Sequence, residues 1–329
     1  MGDNILVTGG AGYIGAHTCL RLAQAGFTPV TYDNLCNGWE SFVRWGPLEV
    51  GDVRDAARLD AVLARHQPAA IVHFAALSDV GLSAARPGAF YDNNVGGSTV
   101  LIEAARRAGI DKLVFSSTCA TYGAPVRLPM DEDHPQNPLS PYGRSKLMVE
   151  QILADMERLT GFRSVVLRFF NAAGADPEGR IGEKHEPETH AIPLAIAAAR
   201  GERDRFVLFG DDYDTRDGTC VRDYVHVLDL ADAHVLALRW LLDGKPGTVF
   251  NLGTGEGATV RELVAAIERR SGKPFPLELA GRRPGDPASL VADTRKAHDL
   301  LGWTPRYGLD EIIDHAWAWH ADGALRLKR

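Results

Sequence analysis

Short runs of consecutive apolar residues alternate with amphipathic stretches through the first half of the chain. Asn4–Thr8, Pro29–Asp33, Leu48–Val50, Ala70–Ala75, Lys112–Ser117 and Ser164–Phe169 are such runs. Their apolar positions are continuous rather than alternating, as expected of strands covered by helices on both faces. Between them the spacing predicts helices over Gly12–Ala25, closed by Gly26, and Asp55–His66, closed by Pro68. Strand and helix in strict alternation predict an α/β fold, a doubly wound parallel sheet of the Rossmann type.

After Asn171 the rhythm breaks. Gly174–Glu188 is rich in Gly, Pro and Glu and reads as a long loop. A short helix over Ile192–Arg200, a strand at Phe206–Phe209 and a polar loop over Gly210–Thr219 follow. A helix at Leu228–Leu242 and a strand at Thr248–Leu252 return to the α/β pattern. The last part predicts a helix at Val260–Ser271, a strand near Phe275–Leu279, and helices near Thr294–Leu301 and Leu309–His320. No internal repeat is visible. The pattern divides the chain into a nucleotide-binding domain over 1–171, with segments near 220–255 returning to it, and a smaller α/β domain that takes most of 172–329.

Composition narrows the function classes. The 329 residues are 45% hydrophobic and 24% charged, ordinary for a globular protein, and the excess among the 34 glycines sits in turns after strand-like runs. A net charge of -7 with no Lys/Arg stripe argues against nucleic acid as a partner. It leaves room for an anionic small molecule, which a few local arginines can bind. Cys19, Cys36, Cys119 and Cys220 form no CxxC pair, so reduced thiols and no metal site are expected. No signal peptide and no apolar run of membrane-spanning length are visible, which predicts a cytoplasmic protein without a membrane partner. Met1-Gly2 invites N-myristoylation, but Leu6 stands where Ser or Thr is required.

The first strand runs into Gly9-Gly10-Ala11-Gly12-Tyr13-Ile14-Gly15, which opens the first helix. Gly9, Gly12 and Gly15 let the backbone turn tightly, approach a pyrophosphate, and pack helix against strand, with the anion on the helix N-terminus. Asp33 ends the second strand, where a carboxylate accepts hydrogen bonds from an adenosine ribose. No arginine follows to hold a 2′-phosphate, so NAD is expected rather than NADP.

Tyr142-Gly143-Arg144-Ser145-Lys146 sets a tyrosine and a lysine four apart near the start of a helix predicted over Pro141–Leu159. That spacing puts both on one helical face. An ammonium beside a phenol lowers its pKa, which would make Tyr142 a general base near neutral pH. Thr118 closes the fifth strand at its carboxyl end, where ligands bind in open α/β sheets. It is placed to bridge Tyr142 and a substrate hydroxyl.

These residues resemble the extended short-chain dehydrogenase/reductase family, and within it the 4-epimerases of UDP-hexoses. The likeness runs nearly end to end. It includes LVTGGAGYIGAHT from Leu6, YDNLCNG from Tyr32, GDVRD from Gly51, HFAAL from His73 and FYDNNV from Phe90. Beyond these come SPYGRSKLMVEQIL from Ser140, RFFNAAGA from Arg168, DGTCVRDYVHVLDLADAH from Asp217, NLGTG from Asn251 and RRPGD from Arg282. The resemblance implies tightly held NAD, a homodimer paired through helices around Tyr91–Ala108 and Pro141–Leu159, and UDP-glucose or UDP-galactose as substrate.

It also implies residue roles. Tyr13, Ile14, Asp33, Asn34, Leu35, Asn37, Gly38, Asp52, Val53, Phe74, Ala75, Leu77, Asn93, Lys146 and Phe170 would line the NAD site. Thr118, Tyr142 and Lys146 would carry the chemistry. Thr118, Tyr142, Asn171, His190, Val207, Phe209, Arg222, Tyr224, Arg283, Asp286 and Leu290 would meet the substrate, the arginines by matching their planar forks to a diphosphate. Several positions depart from the family pattern. Ser78 stands where many members carry a phosphate-binding lysine, His190 replaces an asparagine, Thr118 a serine, and Leu290 a bulkier tyrosine beside the sugar. The last change would leave room for an N-acetylated hexose, and a UDP-pentose would leave the same motifs intact. Cys119-Ala120 stands where related dehydratases carry Asp-Glu, so elimination of water is not expected. A non-catalytic NAD sensor is the reading from another class, and such a chain would be free to lose Tyr142 and Lys146.

Overall fold

In the computed structural model, which describes residues 3–283 and 285–323, seven parallel strands form one sheet. Their spatial order is Thr248–Leu252, Arg163–Phe169, Lys112–Thr118, Ala70–His73, Asn4–Thr8, Thr28–Asp33 and Leu48–Val50. Each neighbouring pair is parallel. The chain direction across the sheet reverses between Asn4–Thr8 and Ala70–His73, which opens a crevice at the carboxyl ends of those strands.

Why the strands read as unbroken apolar runs is visible in the first one. Ile5 and Val7 face one side, packing with Cys19 and Leu22 of helix Tyr13–Gln24 and with Leu230 and Leu238 of helix Val227–Leu242. Leu6 faces the other, packing with Leu59 and Leu63 of helix Ala56–His66 and Leu101 of helix Gly97–Arg107. With a side-chain period of two and a helix layer on each face, every position must be apolar. Each such side chain, removed from water, contributes about 1.5–3 kcal/mol.

Helices Ala191–Ala199, Val260–Ser271 and Leu309–Ala318 pack around Ile192, Ile196, Leu263, Ile267, Ile312 and Phe206 in a separate apolar cluster. Strand Phe206–Phe209 pairs with Leu277–Ala280 beside it. Three short pairings form two small sheets apart from the large one: Tyr224–His226 with Asn171–Ala173, and Val221–Arg222 with both Ala258–Thr259 and Ser289–Leu290.

The departures from the predicted elements share a cause. The two- and three-residue strands and the helix Val80–Ala85 are too short to show a period. The strand expected from Phe275 begins at Leu277, while Phe275 itself turns into the apolar cluster. The last two helices widen: Ala297–Leu301 and Trp319–Gly323 are i→i+5 turns, which sequence periodicity does not announce. Met1-Gly2 and Pro284 of the RRPGD run lie outside the described residues. Among the described residues no helix is long and apolar enough to cross a membrane.

Candidate active site

The crevice is a cleft of about 340 Å³, lined from both sides of the strand reversal. Gly9, Gly12, Tyr13, Ile14, Gly15, Asp33, Asn34, Asn37, Gly38, Val53, Phe74, Ala75, Leu77, Asn93, Lys146 and Phe170 all face it, as do Thr118, Tyr142, Asn171 and His190. The glycines are needed for close approach. A Cβ on Gly15 would overlap the Gly9 carbonyl oxygen, and one on Gly9, where φ is +73°, would sit 2.7 Å from the Ala75 nitrogen. Gly12 caps the helix with no side chain, leaving its first amides to a ligand.

Asp33 accepts the Ala11 amide at 3.0 Å and the Leu35 amide at 2.8 Å, and keeps acceptor capacity on both oxygens for ribose hydroxyls. A Cβ on Gly38 would fall 2.9 Å from the Asp33 carboxylate, where the cradle needs space. Backbone amides, a ribose-binding carboxylate and a cradle cleared of side chains fit NAD. Two expected contacts lie off the cleft wall. Leu35 sits in a left-handed turn at φ +60°, and Asp52 is drawn away by Arg54, whose bonds hold its carboxyl well below the usual range.

The candidate catalytic residues Tyr142 and Lys146 are positioned by the start of helix Pro141–Thr160. Ser140 caps it by accepting the Gly143 amide at 3.1 Å, with Pro141 in the first turn. Gly143 is required because a Cβ there would overlap the Ala120 carbonyl, so the helix lies tight against the loop that follows Thr118. Asn94, in the widened turn Tyr91–Gly96, accepts the Leu77 amide at 2.8 Å and donates to the Leu77 carbonyl and the Ser145 hydroxyl, both at 3.0 Å. One side chain thereby clamps the cofactor wall to the catalytic helix.

Tyr142, Thr118 and Lys146 are buried and all face the cleft. Burial pushes the Tyr142 phenol up to about 12, against the pull of the Thr118 hydroxyl bonded to it. Burial pushes Lys146 down to about 7, against the raising effect of Glu150. The Lys146 ammonium donates to the Ser116 carbonyl at 2.8 Å and lies 4.8 Å over the Phe115 ring. The expectation that the neighbouring Lys146 ammonium lowers the phenol is not what prevails: burial of Tyr142 dominates its shift and raises it. Behind the pair, Glu150 and Arg168 form a buried ion pair at 2.6 Å, and Arg168 bonds the Tyr122 hydroxyl at 3.0 Å. That network ties the helix to the sheet.

Seven expected substrate residues lie outside this cleft, in a group beside it. Arg222 is buried, with its guanidinium on Asp286 and on the Val221 and Pro287 carbonyls at 2.7 and 3.0 Å. Arg283 stacks 3.9 Å over Phe209, and Val207 shares that face of the strand. Tyr224 pairs in register with Asn171, whose buried side-chain oxygen has no hydrogen-bond partner. Leu290 pairs in register with Arg222 and packs on the Cys119, Tyr122 and Phe170 cluster. Arg222 acts on the Cys119 thiol, which follows Thr118, so this group adjoins the catalytic end.

Sequence reasoning missed several members. Glu183, His185 and Ser116 line the cleft, and Asn94 braces it. Tyr213 keeps a buried hydroxyl without a partner beside Arg282 and within reach of the Asp286 charge. Neither pattern nor motif marks such residues, since each acts by position alone.

A parallel sheet with a glycine-built phosphate cradle and a buried tyrosine–lysine pair at its crevice defines a dinucleotide-dependent enzyme of the short-chain dehydrogenase kind. Residues 5–253 match the family model of the NAD dependent epimerase/dehydratase family. The chain is 63% identical over 320 residues to a UDP-glucose 4-epimerase of Rhizobium leguminosarum bv. trifolii, covering 97% of this chain and 98% of that one. It superposes with a TM-score of 0.94 on a UDP-glucose 4-epimerase from Brucella ovis in complex with NAD, at 50% identity over 96% of this chain and 98% of that one. A UDP-glucose-4-epimerase from Stenotrophomonas maltophila with bound NAD and formylated UDP-arabinopyranose gives 0.95 at 41% identity, covering 98% and 99%. The chain belongs to the NAD dependent epimerase/dehydratase family.

Proposed function

We propose that the chain catalyses the reversible inversion of C4 in a UDP-hexose, interconverting UDP-glucose and UDP-galactose with NAD held throughout. The observation that carries this reading is the hydrogen-bonded Thr118–Tyr142 pair at the sheet crevice, next to a group of arginines suited to a diphosphate. Tyr142 takes the proton of the sugar 4-hydroxyl, which Thr118 orients. Lys146 holds positive charge beside the phenolate and steadies the cofactor ribose. NAD, held in the glycine cradle beside Asp33, would supply a reversible hydride acceptor for C4, and Tyr142 gives its proton back to the sugar oxygen once C4 is inverted. Asn171, Arg222, Tyr224, Arg283 and Asp286 grip UDP while the sugar turns, with His190, Val207, Phe209 and Leu290 completing the wall. Residues 1–171 and the segments near 220–255 serve the cofactor; most of 172–329 serves the UDP-sugar.

The division between tight and loose contact supports inversion over simple oxidation. Charge gathers at Arg222, Asp286 and Arg283, whereas Leu290 beside them packs on an apolar cluster. At the position where a dehydratase would place acid and base stand Cys119, whose thiol burial pushes up to about 12, and Ala120. We also infer a homodimer paired through Tyr91–Ala108 and helix Pro141–Thr160, where Met148 and Leu159 are exposed, and a cytoplasmic setting suited to the free cysteines. Light scattering on the purified protein tests the dimer. Incubation with UDP-glucose, UDP-N-acetylglucosamine and UDP-xylose separately, without added cofactor, tests the activity. Formation of UDP-galactose is expected. Turnover of only the acetylated sugar or the pentose would move the assignment, and no turnover on any of them would contradict it.

A further inference from the structure

One loop on the cleft wall carries more chemistry than C4 inversion asks of it, since that reaction gives a role there to His190 alone. Glu183, His185, Glu188 and His190 follow a Glu-x-His-x-x-Glu-x-His spacing, and their ligand atoms all lie within 4.8 Å of one another. His190 Nδ1 is 2.6 Å from a Glu183 oxygen and 3.6 Å from Glu188. His185 Nδ1 is 3.6 Å from the same Glu183 oxygen and 3.4 Å from Glu188. A tetrahedral zinc ion with bonds of about 2.0–2.1 Å sets its ligands roughly 3.3 Å apart. Three of these four separations are already close to that value, and the fourth opens by a small side-chain rotation.

We propose that this loop is a binding site for a divalent transition cation of the zinc class, held by the Nδ1 atoms of His185 and His190 and the carboxylates of Glu183 and Glu188. Two imidazoles with two carboxylates favour Zn²⁺ or Co²⁺ over Mg²⁺, which takes oxygen ligands and keeps its waters.

The surroundings are built as a ligand shell requires. Glu188 accepts the backbone amides of Thr189 at 2.8 Å and His190 at 2.9 Å, which fixes its carboxylate. The Glu183 carbonyl accepts the indole N–H of buried Trp319 at 2.8 Å, which anchors the start of the loop. Lys184 turns away to lie 3.8 Å over the Trp39 ring, so the loop's own lysine does not fill the place of the cation. Glu183 is buried and already draws the His190 imidazole to it, the contact that a cation would replace, whereas His190 is exposed and leaves an entry path. Glu183, His185 and His190 all line the cleft, so a bound cation adds positive charge to its rim. Cysteine spacing, the metal signal considered in the sequence, gives no hint of this cluster.

The test uses the full chain with its retained cofactor, freed of metal by chelation and titrated calorimetrically with Zn²⁺ and, in parallel, Mg²⁺. One Zn²⁺ per chain is expected, with Mg²⁺ at least about a hundredfold weaker. His185→Ala and Glu188→Gln should each weaken Zn²⁺ by about tenfold or more, with thermal unfolding midpoints confirming that the variants fold. Co²⁺ added to the unaltered protein should give the intense visible absorption of a tetrahedral site, a readout that needs no variant. Absence of saturable Zn²⁺ binding, binding unchanged by both substitutions, or a weak octahedral Co²⁺ spectrum would overturn the site. No sugar nucleotide enters the measurement, so its outcome is separate from the fate of the C4 reading.

Discussion

The two ends of the site are made of different material. The proposed cofactor end offers mostly backbone: amides of a helix start, glycines cleared of side chains, and a carboxylate locked by two amides. At the proposed UDP end stand long side chains, Arg222 on a two-residue strand paired to Asp286 and Arg283 from a loop resting on Phe209. A backbone cradle holds its shape with or without ligand and suits a cofactor that never leaves. Arginine anchors that pair with their own neighbours must exchange partners for each substrate, which suits a molecule that comes and goes. Between the two stands the catalytic trio, positioned by sheet and helix together.

The sharpest break between the ends is expected at Tyr142. Tyr142→Phe should lower kcat by about 10²–10⁴-fold, the usual worth of a positioned acid–base group, while NAD content per chain, read after denaturation, stays at the native level. Retention of full activity would remove Tyr142 from the chemistry.

Gly15→Ala attacks the cradle alone. Its new Cβ overlaps the Gly9 carbonyl, and backbone cannot yield cheaply. Overpacking of this kind costs about 1–3 kcal/mol, so most of the co-purifying NAD should be lost, as read by absorbance of the released cofactor. Arg283→Ala attacks the other end. Loss of a charge-assisted contact to phosphate, about 1.5–3 kcal/mol, should raise KM for the UDP-sugar roughly tenfold to a hundredfold and leave NAD content alone. Equal loss of NAD in both variants would dissolve the distinction between backbone and side-chain ends.

The smallest effect concerns Lys146 in the cofactor-free protein. Its folded value of about 7 lies below the ordinary lysine value of 10.5. Between those pH values the folded chain binds fewer protons than the unfolded one, so stability rises with pH across that window. The gain is at most about 1.4 kcal/mol per pH unit. Lys146→Met removes the term. Urea unfolding should therefore show the variant's advantage over the native chain greatest below pH 7 and shrinking as pH rises above it. A constant difference would mean that Lys146 is not desolvated as described.

The difference between the ends also governs what could be read without a structure. Continuous apolar runs such as Ile5–Val7 exist because helices cover both faces of the sheet, so the doubly wound fold was legible from one-dimensional pattern. The glycine turn and Asp33 were legible for the same reason: backbone geometry dictates residue type at fixed offsets. Arg222 and Tyr224 come from strands of two and three residues, and Arg283 from a loop. Nothing in their spacing distinguishes them from surface charge, and only the family likeness singled them out. The i,i+4 spacing put Tyr142 and Lys146 on one face but could not register how deeply burial would shift both groups. Asn94 escaped notice because its clamp depends on a widened helical turn.

Inversion at C4 with the cofactor retained is tested most directly by isotope. UDP-galactose deuterated at C4 is incubated with the purified protein in ordinary water, with no NAD added, and the products are resolved by NMR. The account predicts UDP-glucose that still carries its deuterium at C4, because the same hydride leaves and returns within one closed site. Conversion with deuterium washed out to solvent, or no conversion until NAD is supplied, would contradict it.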